Sequence, residues 1–347
     1  RIALTIIAFF GSEPKKLILG FMVATSFLSM WISNTASAVM MVSIGLAIIK
    51  NYEDIIGINT STKDFSQALM IAIAHSATIG GMATLVGTPP NMAFTRIYSM
   101  SFPDALPISF ANWIMFGIPL SCLLVLLSWV LIGKILLGKK NIDSLGLNVL
   151  KKEKEKLGPI CYEEKWVFVI FTSMAFAWVF RKDLTIGAVT INGWSNLLPY
   201  KDLVDDGMVA IMMAMILFMI PSKQTNKGKF LLDKQAIKEV PWDTILLFGG
   251  GFALAKGIQI SGLSAELGKS FASLEKIHPS IIIVAITTGM SFLTELTSNM
   301  SSTEMILPIL AAISKSTAIN PASLMIPATL AASCAFMLPA ATAPNAI

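Results

Sequence analysis

The sequence predicts an all-α polytopic membrane protein made of two inverted repeats, each a re-entrant helical hairpin followed by a broken transmembrane helix. Three observations carry that prediction. Of 347 residues, 54% are hydrophobic and only 14% charged, with mean hydropathy +0.71, whereas soluble domains carry about 25% charged residues. Many apolar runs approach the ~20 residues that cross a bilayer. Shifted by 265 positions, the chain aligns with itself, which marks an internal repeat. Soluble-enzyme, disulfide-scaffold and disordered classes are thereby excluded.

Residues 1–16 form an amphipathic arm and link. The first hairpin, 17–49, places apolar arms 17–31 and 36–49 around the polar tip Ser33-Asn34-Thr35. Arms of about 15 residues fall short of a full crossing and suit entry and exit on one side. After a polar loop, 50–66, a span over 67–100 is interrupted at Gly87-Thr88-Pro89-Pro90-Asn91, because proline lacks an N–H and opens the helix. With the clean span 113–137, residues 17–137 make up the first-repeat transport elements.

The lysine-dense stretch 138–165 reads as a cytoplasmic loop or arm, and 166–262 as scaffold spans at 166–180, 204–220 and 242–260. The last contains Gly249-Gly250-Gly251, an unwound or tightly packed point. Residues 263–277 repeat Leu263, Leu267, Phe271, Leu274 and Ile277 at helical spacing, as an amphipathic arm on the membrane surface does. The second-repeat transport elements, 280–347, are a hairpin over 280–316 with tip Ser298-Asn299-Met300 and a broken span over 318–347.

The repeat is specific. Phe27-Leu28-Ser29 meets Phe292-Leu293-Thr294, Ser33-Asn34 meets Ser298-Asn299, and the first break matches Ala341-Thr342-Ala343-Pro344-Asn345. Five crossings separate the hairpins, an odd number, so the repeats face opposite ways. The basic loops 138–165 and 222–239 lie on one side. Taken as cytoplasmic, they orient hairpin 17–49 from the cytoplasm and hairpin 280–316 from outside a cell (plasma or inner) membrane. By the same symmetry about three spans are expected before Arg1, and a half-span plus one full span after Ile347, so the chain reads as truncated at both ends.

Polar-tipped hairpins and broken spans in matched positions point to the midplane site of a secondary transporter. Broken backbone at that depth survives only where it is buried or lines a cavity. Ser29, Ser33, Asn34 and the carbonyl at Gly87 supply neutral oxygens for one Na⁺. Thr294, Thr297, Asn299 and the carbonyl at Ala341 supply them for a second. Oxygens without a carboxylate suit Na⁺ better than a divalent ion. Asn34, Thr35, Thr88, Asn299 and Thr342 can then donate to a small anionic substrate, aided by half-helix N-termini. One Ser-Asn-Thr tip alone is more often a helix–helix hydrogen bond; two, each followed by a Thr-x-Pro-Asn break, favour a site.

Other polar residues weigh less. Glu295 beside the second tip is an intramembrane acid that an aqueous cavity could solvate, and His75 reads as a packed helix residue. Both leave open a proton-coupled or exchange-type alternative. His278 reads as a loop residue and Lys256 as snorkelling. Cys122, Cys161 and Cys334 have no metal-like or paired spacing. The net charge of +5 sits in loops and reports orientation, not nucleic acid. With no H-E-x-x-H or G-x-S-x-G motif, an intramembrane enzyme is a remote alternative.

These motifs together resemble the divalent anion:Na⁺ symporters, the solute carrier group of dicarboxylate, citrate and sulfate transporters. The resemblance covers the whole chain. It implies a homodimer in membrane lipid, of the elevator type within the ion-transporter superfamily, whose scaffold stays still while a transport domain bearing both hairpins moves. It also implies several Na⁺ coupled to one di- or trivalent anion, a C4-dicarboxylate first, with citrate or sulfate as alternatives. By resemblance Ser29, Ser33, Asn34 and Gly87 match one Na⁺ site and Thr294, Thr297, Asn299 and Ala341 the other. Asn34, Thr35, Thr88, Asn299 and Thr342 match the substrate contacts. Two positions depart from the pattern: Met300 stands where a threonine closes the second tip, and Ala343 where the break has proline.

Overall fold

The computed structural model describes residues 1–347 apart from 12, 138–149, 151–153, 187–188, 224–229, 264–265, 267–276 and 318. Most of the expected arms at 138–165 and 263–277 therefore lie outside the described residues. The chain is mostly helical and divides into two units, one of 1–107, 116–157 and 246–347 and the other of 108–115 and 158–245.

In the first unit, α1 (Ile2–Phe10) packs Ala3, Leu4 and Ile7 against α2 (Pro14–Ser29). Proline opens α2, where its missing N–H costs nothing. Ser33 caps α3 (Asn34–Ile56) by accepting from the Ala36 N–H at 3.2 Å. Helix α3 overruns the expected arm by seven residues, since 50–56 contains no glycine or proline to stop it. Gly57 ends it at φ 82°. A reciprocal Asn59–Thr62 cap then starts α4 (Thr60–Gly81).

The break in the first broken helix lies earlier than the prolines suggest. Helix α4 stops at Gly81, the chain is unwound over 82–88, and Pro89 and Pro90 occupy the first turn of α5 (Pro89–Ser101). They start the second half-helix instead of opening the gap. The second copy behaves alike: α13 (Pro321–Ser333) stops, 334–342 is unwound, and Pro344 sits in the first turn of α14 (Ala343–Ala346).

Between them in the chain run α6 (Phe110–Ile132, continued by a π-helical turn Gly133–Leu137), α10 (Trp242–Ile260), α11 (Pro279–Leu296) and α12 (Asn299–Thr317). Helix α10 is continuous through Gly249-Gly250-Gly251, so the chain does not unwind there; of the three only Gly251 is closely packed, and a Cβ on Gly249 or Gly250 would meet open space. The largest described core joins α1 to α4 through Ile7, Phe21, Met41, Phe65 and Ile73, with Tyr52 stacked on Phe65 at 4.7 Å. Between apolar helices in lipid, such packing acts through van der Waals contact and interhelical hydrogen bonds.

The second unit holds α7 (Tyr162–Val179) and α8 (Asp206–Met219). The connection between them pairs β1 (Leu184–Ile186) antiparallel with β2 (Val189–Ile191), a small departure from all-α. The β-branched residues Thr185, Val189, Thr190 and Ile191 favour that pairing. Arg181, 7% exposed, closes the loop with Nε 2.5 Å from Asp206 Oδ1 and a hydrogen bond to the Val204 carbonyl at 2.8 Å.

Among the described residues three helices are long and apolar enough to cross a membrane: α3, α6 with its π turn, and α11, at mean hydropathies of 1.3, 2.4 and 1.5. Two of the three are arms of the expected hairpins, so length alone does not separate an arm from a crossing.

Candidate functional site

Small residues let α2 and α4 approach closely, and their polar atoms meet there. Ser26 Oγ donates to the Ser76 carbonyl at 2.9 Å, and one turn on, Ser29 Oγ lies 2.5 Å from the Ala77 carbonyl. Ser29 Oγ also lies 2.7 Å from the Asn34 side-chain amide, at the first turn of α3. That amide reaches three acceptors when its NH₂ is turned inward: Ser29 Oγ at 2.7 Å, the Ala77 carbonyl at 3.2 Å and the Gly87 carbonyl at 3.2 Å. A hydroxyl has one proton, so Ser29 cannot donate to both Ala77 and Asn34. Turned the other way, the Asn34 oxygen joins three more oxygens in a group without a proton for each contact, the surroundings a bare cation needs. Gly81 permits this approach, since a Cβ there would overlap the Asn34 amide.

The second repeat builds the same group from different residues. Thr294 Oγ1 lies 2.7 Å from Asn299 Oδ1 and 2.7 Å from the Ala332 carbonyl. Thr294 is fully buried and again has one proton for two acceptors. Ser29 and Thr294, like Asn34 and Asn299, stand 265 positions apart.

Each break is held open by an asparagine. Asn91 Nδ2 donates to the Gly81 and Thr84 carbonyls at 3.3 and 2.8 Å. Asn345 Nδ2 donates to the Ala335 and Leu338 carbonyls at 2.9 and 3.1 Å. The three positions of each set are offset by the same 254 residues. Thr84 Oγ1 further ties the first break to the Met30 carbonyl at 2.5 Å and accepts from the Gly87 N–H at 3.0 Å. The second break uses charge: Glu295 accepts from the Phe336, Met337 and Leu338 N–H groups at 2.8, 3.0 and 2.8 Å. The two breaks touch, with Cys334 Sγ 3.9 Å from Met82 Sδ and the His75 ring 4.9 Å from that of Phe336.

Of the residues the sequence singles out, Ser29, Asn34 and Gly87 come together, as do Thr294 and Asn299. Ser33 Oγ caps α3. Thr35 is exposed in the first turn of α3. Thr297 Oγ1 bonds the Leu293 carbonyl and lies 2.5 Å from Ser302 Oγ. Among the described residues no hydrogen bond joins Ala341 to Asn299. Thr88 and Thr342 precede their half-helices in matching extended conformations, φ −142°, ψ 141° and φ −150°, ψ 144°, and neither hydroxyl makes a capping hydrogen bond. Sequence reasoning passed over the Ala77 and Ala332 carbonyls, which no residue type announces. The roles of Asn91 and Asn345 are not evident from residue type alone, although their recurrence in both breaks is the available signal. Glu295, the intramembrane acid beside the second tip, anchors backbone N–H groups of the second break.

Residues 1–347, the whole chain, match the family described as the sodium:sulfate symporter transmembrane region. The chain belongs to this family. It is 41% identical over 352 residues to a sodium-dependent dicarboxylate transporter, SdcS, of Staphylococcus saprophyticus. It is 42% identical over the same length to SdcS of Staphylococcus aureus strain USA300. All of this chain is covered in each case, and the chain spans 65% of the length of these relatives. Within a sodium:sulfate symporter family member, a multi-pass membrane protein, the two departures from the motif acquire a location. Met300 is buried, and the neighbouring Ser302 hydroxyl meets Thr297. Ala343 stands in the first turn of α14 beside Pro344, which still starts the half-helix.

Proposed function

We propose that this chain is the core of a Na⁺-coupled symporter for a C4-dicarboxylate. In this reading Na⁺ occupies the Ser29–Asn34–Ala77–Gly87 group and the Thr294–Asn299–Ala332 group. The anion lies between the tips, contacted by Asn34, Thr35, Thr88, Asn299 and Thr342. The repeats are inverted, hairpin 17–49 enters from the cytoplasm and hairpin 280–316 from outside. The hairpins and broken helices move as one transport domain against a scaffold within a homodimer, and the protein performs no enzymatic reaction.

One observation carries the reading: two groups of neutral oxygens, assembled from different sequences, repeat the same hydroxyl–amide–carbonyl triad. Without sodium, the Asn34 NH₂ turned inward satisfies the first group. With Na⁺ bound, the Asn34 oxygen turns inward as a ligand and its NH₂ turns outward, where it can donate to a carboxylate. Cation binding thus prepares the anion site, and coupling follows from one amide serving both. No arginine stands at either tip, so the anion's charge is balanced by Na⁺ and helix N-termini. The dicarboxylate preference is supported by the names of the SdcS relatives.

The test is uptake of radiolabelled succinate, citrate and sulfate into vesicles holding the complete protein, with Na⁺ or choline outside. Succinate uptake that requires Na⁺ is the expected result; equal uptake in choline would overturn the reading.

A further inference from the structure

We propose that Glu304 is a proton-binding site coupled to the second oxygen group, loaded as a neutral carboxylic acid. Glu304 lies on α12, five residues beyond Asn299, and is 4% exposed. Its Oε1 is buried with no hydrogen-bond partner among the described residues. A Cβ on Gly251 would overlap the Glu304 carboxyl group, which therefore rests on the bare backbone of α10.

Among the described residues the surroundings supply no counter-charge. Helix α12 packs on α5, α11 and α13, and meets α10 at Gly251. Helix α13 has no titratable residue. Helix α11 offers Glu295, whose oxygens accept from Phe336, Met337 and Leu338. Helix α5 offers Arg96, which is exposed, and Tyr98, whose ring packs on Phe94 and Phe102. Helix α10 carries Asp243, eight residues before Gly251, and Lys256, whose Nζ bonds Gln259. On α12 itself Lys315 lies over the Phe102 ring. Among the described residues no ion pair involves Glu304.

An ionised carboxylate in such a place is neutralised instead of endured. A metal ion needs several oxygens, and the carbonyls of α10 are engaged within its helix. A proton needs one. Loading adds H⁺ from water to the carboxylate oxygen, and unloading returns it. While neutral, the acid lets α12 lie against Gly251. When ionised, it draws toward water and takes with it the arm that begins at Asn299. Sodium affinity at the second group therefore falls as Glu304 loses its proton. This last step rests on the symport reading, but the existence of the proton does not.

Infrared spectroscopy of the complete protein in vesicles separates the two. At neutral pH the wild type should show a protonated-carboxyl C=O stretch that shifts with ¹³C-glutamate labelling and is missing in Glu304→Gln. Raising the pH should remove it. In uptake, the Na⁺ half-saturation concentration of the wild type should rise several-fold at alkaline pH, while Glu304→Gln stays at the low value throughout. Absence of the band at neutral pH in labelled wild type overturns the proposal, as does a Glu304→Gln variant with wild-type pH dependence. Loss of Na⁺-driven uptake in wild type with the band present overturns the symport reading and leaves the proton site standing.

Discussion

Replacing Thr294 by valine removes one hydroxyl from the second oxygen group and keeps the branched shape. Thr294 is fully buried, and its hydroxyl meets the Ala332 carbonyl and the Asn299 amide, both at 2.7 Å. In the absence of sodium, valine leaves those partners unsatisfied, which costs roughly 1–3 kcal/mol of stability. For sodium the loss is a contact to a charge, worth roughly 1.5–3 kcal/mol. That corresponds to roughly a 10–150-fold weaker affinity, at about 1.4 kcal/mol per factor of ten. The assay is the Na⁺ dependence of succinate uptake in vesicles, with Thr294→Ser as the control that restores the hydroxyl. Half-saturation by Na⁺ should move up by that factor in valine and return in serine. A valine variant that stays folded and saturates at the wild-type Na⁺ concentration would refute the assignment of Thr294 to a sodium site.

Other expectations follow from the same geometry. Asn34→Ala and Asn299→Ala should each abolish Na⁺-driven uptake, because each removes the one amide its group contains; residual uptake near wild type in either would speak against it. Gly81→Ala should place a methyl group on the Asn34 amide and cost about 1–3 kcal/mol, read as a lower unfolding temperature together with lost Na⁺ dependence. Glu295→Gln replaces a charged acceptor by an amide whose NH₂ must face an N–H of the second break. It should lower thermal stability by roughly 1.5–3 kcal/mol, and an unchanged melting curve would contradict its anchoring role. Apparent substrate affinity should climb steeply with Na⁺ and not with K⁺ or Li⁺, as read from succinate saturation curves at several cation concentrations.

The helices and tips were legible because apolar run length and polar interruption are written in residue types. Repetition made Ser29, Asn34, Thr294 and Asn299 stand out, since chance does not place a hydroxyl and an amide five residues apart twice at matched offsets. Carbonyl donors were not legible: Ala77 and Ala332 qualify through backbone position, which any residue type could supply. Proline misled at the first break, because Pro89 and Pro90 are equally compatible with interrupting a helix and with beginning one. Charge at Lys50, Glu53 and Asp54 suggested a loop where α3 simply continues, for these residues are tolerated in a helix emerging from an apolar stretch. Glu304 escaped attention because it lies among serines and threonines after the tip. Only the fold brings it to Gly251, a contact no spacing rule encodes.

The most direct measurement is a high-resolution density map of the complete protein in lipid, recorded once in Na⁺ and once in choline. Spherical density is expected within the Ser29–Asn34–Ala77–Gly87 group and within the Thr294–Asn299–Ala332 group in Na⁺. Both densities should disappear in choline. Maps in which both groups are identical in the two conditions, with sodium density lying elsewhere, would contradict the sodium assignment.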